Sequence, residues 1–554
     1  MMTKDNGLSE AVKIPYPKLR VLLVDPQRPF QILMKGILTN FGVVHIDFCD
    51  SGEAAVKQCR AKAYDLLLVE HNLGSKNGRQ LLEELRTLRL ISPDCLFIIV
   101  SAESERAIVL GTMEMAPDDY IIKPFSQRLL DVRLTKAWAR RHFMRDIYQS
   151  VDKKDYHQAI LHAKQLIKEK NHHTPFILQM MTELMCIEKQ YDEVITNLTE
   201  VLKHREIPWA TISLARAYLG LNELEQAEEL LLNLLENNSS HVEALDLLAQ
   251  VQLEGQQIEQ AKETLRKSIN ISPYSMKRHQ AMVNIASEDN DLVLIKESYA
   301  QLLDLSRSSV HAGTENLLNY TRSIIDTTAL AEEPKDFNKI QNELNSTLHR
   351  AKLEEGRNLN YHFAVVEGII QAQYQSAKGD NLLSKKTLMS AIHTFSDEND
   401  KWSLPDELAS DTCIALINVS DFELVDKFIN QLSKDNIVNQ RIKKQLNGKN
   451  LAQQKREFKQ ITRQGIQAYS ENSNLEALEL FTQALHLSPV NSGAILNVLQ
   501  AQIRLMQSHK KYIKELISDC KDSFRSLSGM KLSAAHQNRL DKLKLEFNEL
   551  SKRA

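Results

Sequence analysis

The sequence predicts two parts, an α/β domain built on a parallel sheet and an all-α array of repeated helix pairs. Near the N-terminus, short apolar runs alternate with amphipathic helical stretches, which is typical of βαβ units with helices on both faces of a sheet. Beyond residue 145, small or medium apolar residues recur with a period close to 34 residues, which indicates stacked helix pairs. A chain of 554 residues is too long for one core, so several domains are expected.

Composition excludes several classes of protein. The hydrophobic content of 43% and charged content of 25% are ordinary for a globular chain, and the net charge of −3 predicts no binding to nucleic acid or to an anionic membrane surface. The polar tail at residues 1–18 lacks the apolar core of a signal peptide, and no stretch approaches 18 apolar residues. The six cysteines contain no CxxC, so we expect free thiols and a cytoplasmic location.

In the α/β part, four apolar runs each end at a polar residue. The runs and the residues that follow them are Val21–Val24 with Asp25, Leu66–Val69 with Glu70, Phe97–Val100 with Ser101, and Tyr120–Ile122 with Lys123. The helical stretches between and after them include 29–40, 52–61, 78–88 and 126–140. Because ligands bind at the carboxyl ends of parallel strands, these four polar residues form the candidate site.

In order and spacing, these residues and the 118–125 run Asp-Asp-Tyr-Ile-Ile-Lys-Pro-Phe resemble a CheY-like response-regulator receiver domain, over residues 19–140. The resemblance implies a doubly wound, five-stranded parallel sheet with a pocket for a phosphoryl group and Mg²⁺. In this family two acids and an acceptor aspartate bind the metal, and the acceptor attacks the phosphorus. A hydroxyl and a lysine then hold the phosphoryl oxygens. The resemblance assigns the pocket to Asp25, Glu70, Ser101 and Lys123, and makes Tyr120 the switch aromatic.

The chain departs from the receiver pattern in two places. Pro26 stands where the second acid is expected, and Glu70 stands at the acceptor position, one methylene longer than aspartate. Since a misplacement of about 1 Å can cost about a hundredfold in rate, we expect no phosphorylation by the usual route. We also expect no cofactor, and at most a weak Mg²⁺ site at Asp25 and Glu70. Glu70 either mimics the phosphorylated state, its carboxylate lying near Lys123, or marks a decayed site. Arg28 could pair with these acids, although a solvated loop charge is the simpler interpretation.

The stretch after Lys123 suggests two further features. Asp119 and Arg133 occupy positions that pair across a receiver dimer in OmpR-type regulators, although Leu129 stands where a partner acid is common. They are therefore candidates for a homodimer contact. No proline or glycine lies between Pro124 and Pro175, so we expect the last receiver helix to run into, or pack on, the first repeat helix. The bases at 140–145 are interpreted as a solvated helix face.

The recurring positions of the helical part are Ala159, Val194, Ala227, Ala261 and Ile295. They resemble tetratricopeptide repeats, which implies a superhelix whose first helices line a concave groove for a protein partner. We assign about four to five repeats to residues 146–308, degenerate helical repeats to 309–456, and C-terminal repeats to 457–525. A capping helix is assigned to 526–554. In the C-terminal repeats the consensus residues are Gly465, Ala477, Phe481, Ala484 and Pro489.

No GxxxxGK[ST], GxSxG, HExxH or GxGxxG motif is present, so the sequence predicts no enzyme. The histidines at 157, 162, 172 and 173 lack partners at metal-ligand spacing and are interpreted as surface residues. The leading hypothesis is a non-enzymatic bacterial signalling adaptor in which a receiver-like domain regulates or docks a protein-binding repeat scaffold. Two alternatives stay open: a phosphorylation-dependent response regulator, and a structural assembly factor for a surface appendage or secretion pathway.

Overall fold

The computed structural model describes residues 13–169, 173–203, 205–307, 309–354, 362–395, 404–429, 442, 451–508 and 510–552. The first twelve residues of the predicted polar tail and His172 lie outside this part of the chain. Two compact units divide between Ala312 and Gly313. Across the described ranges, no helix is both long and apolar enough to cross a membrane.

The first unit begins with a five-stranded, fully parallel sheet in the order β2-β1-β3-β4-β5. Its strands are β1 (Arg20–Val24), β2 (His45–Cys49), β3 (Leu66–Val69), β4 (Leu96–Ser101) and β5 (Asp119–Ile122). The reversal of strand order at β1 is that of a doubly wound sheet, which confirms the predicted fold class. Val24 lies opposite Val69, so the residues that follow β1 and β3 are neighbours at the sheet edge.

Five helices cover the sheet: α1 (Arg28–Asn40), α2 (Gly52–Ala61), α3 (Gly78–Thr87), α4 (Arg106–Met113) and α5 (Gln127–Phe143). Alternate residues of each central strand enter two separate cores, Leu22 and Leu67 on one face and Val21 and Leu68 on the other. Burial on both faces explains why the central strands are continuous apolar runs.

Ten helices follow in the first unit as five helix pairs: α6 (Arg145–Asp152), α7 (Tyr156–Lys168), α8 (Thr174–Ile187), α9 (Tyr191–Leu202), α10 (Pro208–Gly220), α11 (Leu224–Asn237), α12 (Val242–Glu254), α13 (Ile258–Ile271), α14 (Met276–Glu288) and α15 (Leu292–Ser306). Each pair turns through one residue with positive φ: Lys154, Lys189, Asn222, Gln256 and Asn290 (φ 58–63°). These turn residues recur every 33–35 positions, so the backbone repeats with the same period as the sequence.

Small residues let the paired helices approach closely. Ala159, Ala227 and Ala261 are fully buried, each on the second helix of its pair. Between the second and third pairs, Gly220 of α10 lies against the Tyr191 ring of α9, which occupies the space that a Cβ at this position would need. These contacts account for the recurring small positions in the sequence.

The second unit is also all helical in its described residues. Its helices are α16 (Thr314–Asp326), α17 (Pro334–Glu354), α18 (Phe363–Ala377), α19 (Asn381–Ile392), α20 (Asp406–Asn418), α21 (Phe422–Ile429), α22 (Leu451–Ser470), α23 (Asn474–Leu487), α24 (Ser492–Ser508), α25 (Lys510–Leu527) and α26 (Ala534–Ser551). Pro334 is the first residue of α17, a position at which its missing N–H costs the helix no hydrogen bond. Gly465 packs against the Phe481 ring, where a Cβ would approach to 2.7 Å.

Candidate functional site

The four predicted pocket residues lie together at the carboxyl edge of the sheet. Asp25 and Glu70 follow β1 and β3, Ser101 ends β4, and Lys123 follows β5. Asp25 and Ser101 are 1% exposed and Glu70 is 7% exposed, so two carboxyl groups are buried side by side. Buried carboxylates require compensation by hydrogen bonds and opposite charge.

Lys123 provides that compensation. Its Nζ atom donates to Asp25 Oδ2 at 2.7 Å and to Glu70 Oε2 at 2.6 Å. The same ammonium lies 3.6 Å from the centroid of the Phe30 ring, a cation–π contact that covers it from the α1 side. One cation therefore joins the two acids and closes the pocket between them.

The remaining carboxylate oxygens also accept hydrogen bonds. Glu70 Oε1 accepts from the His71 amide at 2.7 Å and from the Ser101 hydroxyl. Asp25 Oδ1 accepts from the Gln27 amide at 2.7 Å. All four carboxylate oxygens of the pocket therefore have a donor from within the chain.

This donor set does not fit the Mg²⁺ ion that the receiver resemblance implies. Mg²⁺ requires oxygen ligands at close to octahedral geometry, whereas the pocket carboxylates are engaged by an ammonium, a hydroxyl and backbone amides. Pro26 offers no carboxylate and is exposed. Within the described ranges no three His, Cys, Asp or Glu residues cluster as metal ligands would.

Tyr120 and His71 adjoin the pocket. Tyr120 is buried, and its hydroxyl donates to the Glu103 carbonyl at 2.9 Å, in the loop that leads to α4. Burial raises the pKa of Tyr120 to about 12, so the phenol stays neutral. The His71 ring lies with Nδ1 3.4 Å from Thr112 Oγ1, and burial lowers the pKa of His71.

Other predicted residues lie away from the pocket. Arg28 is exposed at the start of α1. Asp119 and Arg133 bond to each other within the chain, with Arg133 Nη1 donating to Asp119 Oδ1 at 3.0 Å. A contact through them across a dimer stays a prediction.

The bases near the end of α5 form the expected solvated face only in part, because His142 and Arg145 are exposed whereas Arg140 and Arg141 are half-buried. Arg141 donates to the buried Asp118 carboxylate at 2.6 Å and to the Pro93 carbonyl, and Arg145 donates to Asp94 at 2.9 Å. Arg141 and Arg145 stand on either side of the buried Met144, the single residue between α5 and α6, and both bind loops of the sheet domain.

Sequence reasoning missed Phe30 and His71. In the sequence Phe30 is indistinguishable from the other apolar residues of an amphipathic helix, and no motif predicts that its ring contacts a lysine. His71 could have been found from its position directly after Glu70, since the residue that follows a strand-end acid enters the loop over the pocket.

Comparison with known proteins identifies both parts. The model of the response regulator receiver domain matches residues 21–135, and a tetratricopeptide repeat model matches residues 187–251. The probable chemotaxis protein CheY of Rhizobium etli is 28% identical over 109 residues, which are 20% of this chain and 84% of that protein. The regulatory protein PhoP of Bacillus subtilis is 31% identical over 122 residues, which are 22% of this chain and 49%, about half, of that protein.

A solved thermophilic TPR protein of Thermus thermophilus is 15% identical, with a TM-score of 0.29 and coverage of 34% of this chain and 99% of that one. The family matches show a receiver domain followed by tetratricopeptide repeats, as the sequence predicted. This combination indicates a protein related to two-component signalling that interacts with other proteins. Domains of these two kinds are generally non-catalytic.

Proposed function

We propose that this protein is a non-enzymatic signalling adaptor whose receiver domain does not take a phosphoryl group and whose repeats bind a protein partner. The observation that carries the proposal is the Lys123 ammonium bridging Asp25 and Glu70 at 2.7 and 2.6 Å. Bound metal and a phosphoryl group would have to displace this bridge, and the acid that would assist them is replaced by Pro26.

The position of the Glu70 carboxylate favours mimicry over decay. Its two oxygens contact the Ser101 hydroxyl and the Lys123 ammonium, the two groups to which the receiver resemblance assigns the phosphoryl oxygens. We infer that Glu70 holds the pocket in a permanently engaged form. The receiver then acts through its surface contacts with proteins and with its own repeats, in a cytoplasmic setting.

A phosphorylation assay tests this proposal. The full chain is incubated with acetyl phosphate and Mg²⁺, or with beryllofluoride and Mg²⁺, and its intact mass and melting temperature are measured. We expect no added phosphate and no thermal stabilisation. A Pro26→Asp/Glu70→Asp variant restores both acids and serves as the positive control, while Glu70→Asp alone should recover little because Pro26 remains.

One result would overturn the proposal. A stoichiometric, acid-labile phosphate on Glu70 of the unmodified chain would instead support a phosphorylation-dependent response regulator. The protein-binding half is tested separately by affinity capture with the full chain. If the proteins retained were all components of an appendage or secretion apparatus, the assembly-factor alternative would gain support.

A further inference from the structure

The receiver touches the repeats through a second surface, distant in sequence from the α5–α6 junction. Arg79 of α3 donates from Nη1 to the Tyr274 carbonyl at 3.0 Å, and Gln80 donates from Nε2 to the Arg307 carbonyl at 3.0 Å. Glu114, directly after α4, accepts from Arg278 Nη2 at 3.1 Å. We call the receiver side of this contact the docking face, defined by Arg79, Gln80, Gly111 and Glu114.

The contact is closely packed. Arg79, Gln80 and Arg278 are 7%, 9% and 4% exposed, although each is a strongly polar side chain. A Cβ at Gly111 would lie 3.0 Å from Tyr274 Cδ2 and 3.2 Å from Tyr274 Cβ, so the tyrosine packs directly on the glycine backbone. The buried charged side chains are hydrogen-bonded, and the tyrosine ring fits closely against the glycine. Both features are typical of a specific, well-packed contact between domains.

A short path joins the docking face to the pocket. Glu70 Oε1 accepts from the His71 amide at 2.7 Å, and the His71 carbonyl accepts at 2.7 Å from the amide of Gly78, the first residue of α3. The His71 ring lies beside Thr112 of α4, 3.4 Å from its hydroxyl. The Glu70 carboxylate therefore positions the loop between β3 and α3. This loop contacts both helices of the docking face, α3 through the Gly78 amide and α4 through Thr112.

Gln80 links the start of α3 to the repeats. Its side-chain oxygen accepts from the Asn77 amide at 3.0 Å, while Asn77 Oδ1 accepts from the Gln80 amide at 2.8 Å. This capping box holds the first turn of α3 and leaves the Gln80 Nε2 group to reach Arg307. A shift of the β3–α3 loop would therefore move a group that contacts the repeats.

We propose that the docking face is an intramolecular latch that holds the receiver on the fourth and fifth helix pairs, and that the Glu70 carboxylate keeps this latch closed. A protein that binds the repeats around Tyr274 and Arg278 must displace the receiver. This proposal depends on the proposed function in one respect only, namely that the ligand that displaces the receiver is a protein. Its closure is measurable without any partner and without phosphate.

A disulfide trap tests whether the latch forms in solution. In a full-chain Gly111→Cys/Tyr274→Cys variant the two Cβ atoms start about 3.2 Å apart, close to the range of about 3.5–4.5 Å that disulfides require. We expect mild oxidation to join the peptides that carry residues 111 and 274, as seen by mass spectrometry. The native cysteines are all buried and should stay reduced. A Gly111→Cys/Leu221→Cys control, with an exposed cysteine on the third helix pair, should not crosslink.

Hydrogen exchange of the 274–281 segment tests the link to the pocket without new cysteines. We expect Arg79→Ala to speed exchange about tenfold, because a hydrogen bond from a charged donor is worth at least about 1.4 kcal/mol. Arg106→Ala, which removes an exposed arginine of α4, should change nothing. Glu70→Gln should speed exchange severalfold in the same segment.

The outcomes separate the two halves of the latch proposal. A folded double-cysteine variant that does not crosslink, together with unchanged exchange in Arg79→Ala, would overturn the latch itself. Faster exchange in Arg79→Ala with no change in Glu70→Gln would overturn control by the pocket. Neither result bears on whether Glu70 can be phosphorylated, so failure of the latch and failure of the proposed function remain distinguishable.

Discussion

The pocket and the latch each place one buried cation against two carboxylates, Lys123 against Asp25 and Glu70, and Arg278 against Glu114 and Asp246 of α12. The two clusters differ in how far the carboxylates are buried. In the pocket the Lys123 side chain is 14% exposed, and the side chains of Asp25 and Glu70 are only 1% and 9% exposed. At the latch the Arg278 side chain is 3% exposed, whereas Glu114 and Asp246 are 29% and 36% exposed. Water can therefore reach the anions of the latch but hardly reaches those of the pocket.

This difference in the exposure of the carboxylates determines what each cluster can do. A carboxylate that loses its cation inside the protein keeps its desolvation cost, while one near the surface is hydrated again. The pocket should therefore behave as a permanent lock, and the latch as a contact that can open and close at modest cost. One cation and two carboxylates therefore form a permanent structural cluster in the pocket and a reversible contact at the latch.

The largest effect is expected from Lys123→Met. This substitution leaves two buried carboxylates without their shared cation, so we expect a loss of about 3–5 kcal/mol in receiver stability. Hydrogen exchange of β1 and β3 in the full chain measures it. Lys62→Met, which removes an exposed pair with Asp47 (50% and 38% exposed), should cost at most about 1 kcal/mol. Adding Glu70→Gln to Lys123→Met should recover part of the loss. If Lys62→Met and Lys123→Met lowered the stability equally, burial of the carboxylates would not be what makes the pocket ion pairs costly to break.

Arg278→Met should have the next largest effect. It removes a buried cation but leaves Glu114 and Asp246 able to regain water, so we expect about 1–3 kcal/mol, read from the exchange of α14. Part of this loss comes from the Ser272 carbonyl, which accepts from Arg278 Nη1. Arg216→Met, at the more exposed pair with Glu243, is the matched control. If Arg278→Met were as costly as Lys123→Met, exposure of the anions would not be what distinguishes the clusters.

Sequence alone located the pocket because its strands are buried on both faces and read as unbroken apolar runs that end in polar residues. It did not locate β2, an edge strand with a mostly half-buried pattern that includes His45 and Asp47. The short helix α4, which offers few periodic positions, was also missed. Periodicity found the repeats because Ala159, Ala227 and Ala261 serve one packing role in each unit.

The latch lay beyond sequence reasoning. Arg79 and Tyr274 are 195 residues apart, and the tyrosine contributes a backbone carbonyl, which no residue type encodes. The turn residues Lys154 and Lys189 show the same limit. Both adopt positive φ, where glycine or asparagine would have been the signal. Contacts made by the backbone, or imposed on it by neighbouring helices, leave little trace in a single sequence.

A smaller effect is expected from Glu114→Gln. Arg278 would keep its two-point contact with Asp246, at 2.8 Å from Nε and 2.9 Å from Nη2, so its charge stays compensated. We expect a cost of about 0.5–1 kcal/mol at the latch, measured by exchange of the 274–281 segment. A cost as large as that of Arg278→Met would mean that the receiver carboxylate, and not Asp246, is the main partner of the arginine.

The smallest effect is expected from pH, through His71 between the two clusters. Burial lowers the pKa of His71 from its ordinary 6.5, and Arg79 lowers it further, while Glu70 and Glu103 oppose the shift. A lowered pKa means that the folded state favours the neutral ring. The resulting stability is present above pH 6.5 and is lost as pH falls through the lower folded-state value. Protection of α3 and α4 should therefore weaken as pH falls below about 6.5. His71→Gln should make this pH dependence weaker, since glutamine does not titrate.

His279 is also buried with a lowered pKa, so His279→Gln is the control and should leave the pH dependence of α3 and α4 unchanged. If His279→Gln flattened it and His71→Gln did not, the pH response would belong to the repeats and not to the loop between pocket and latch.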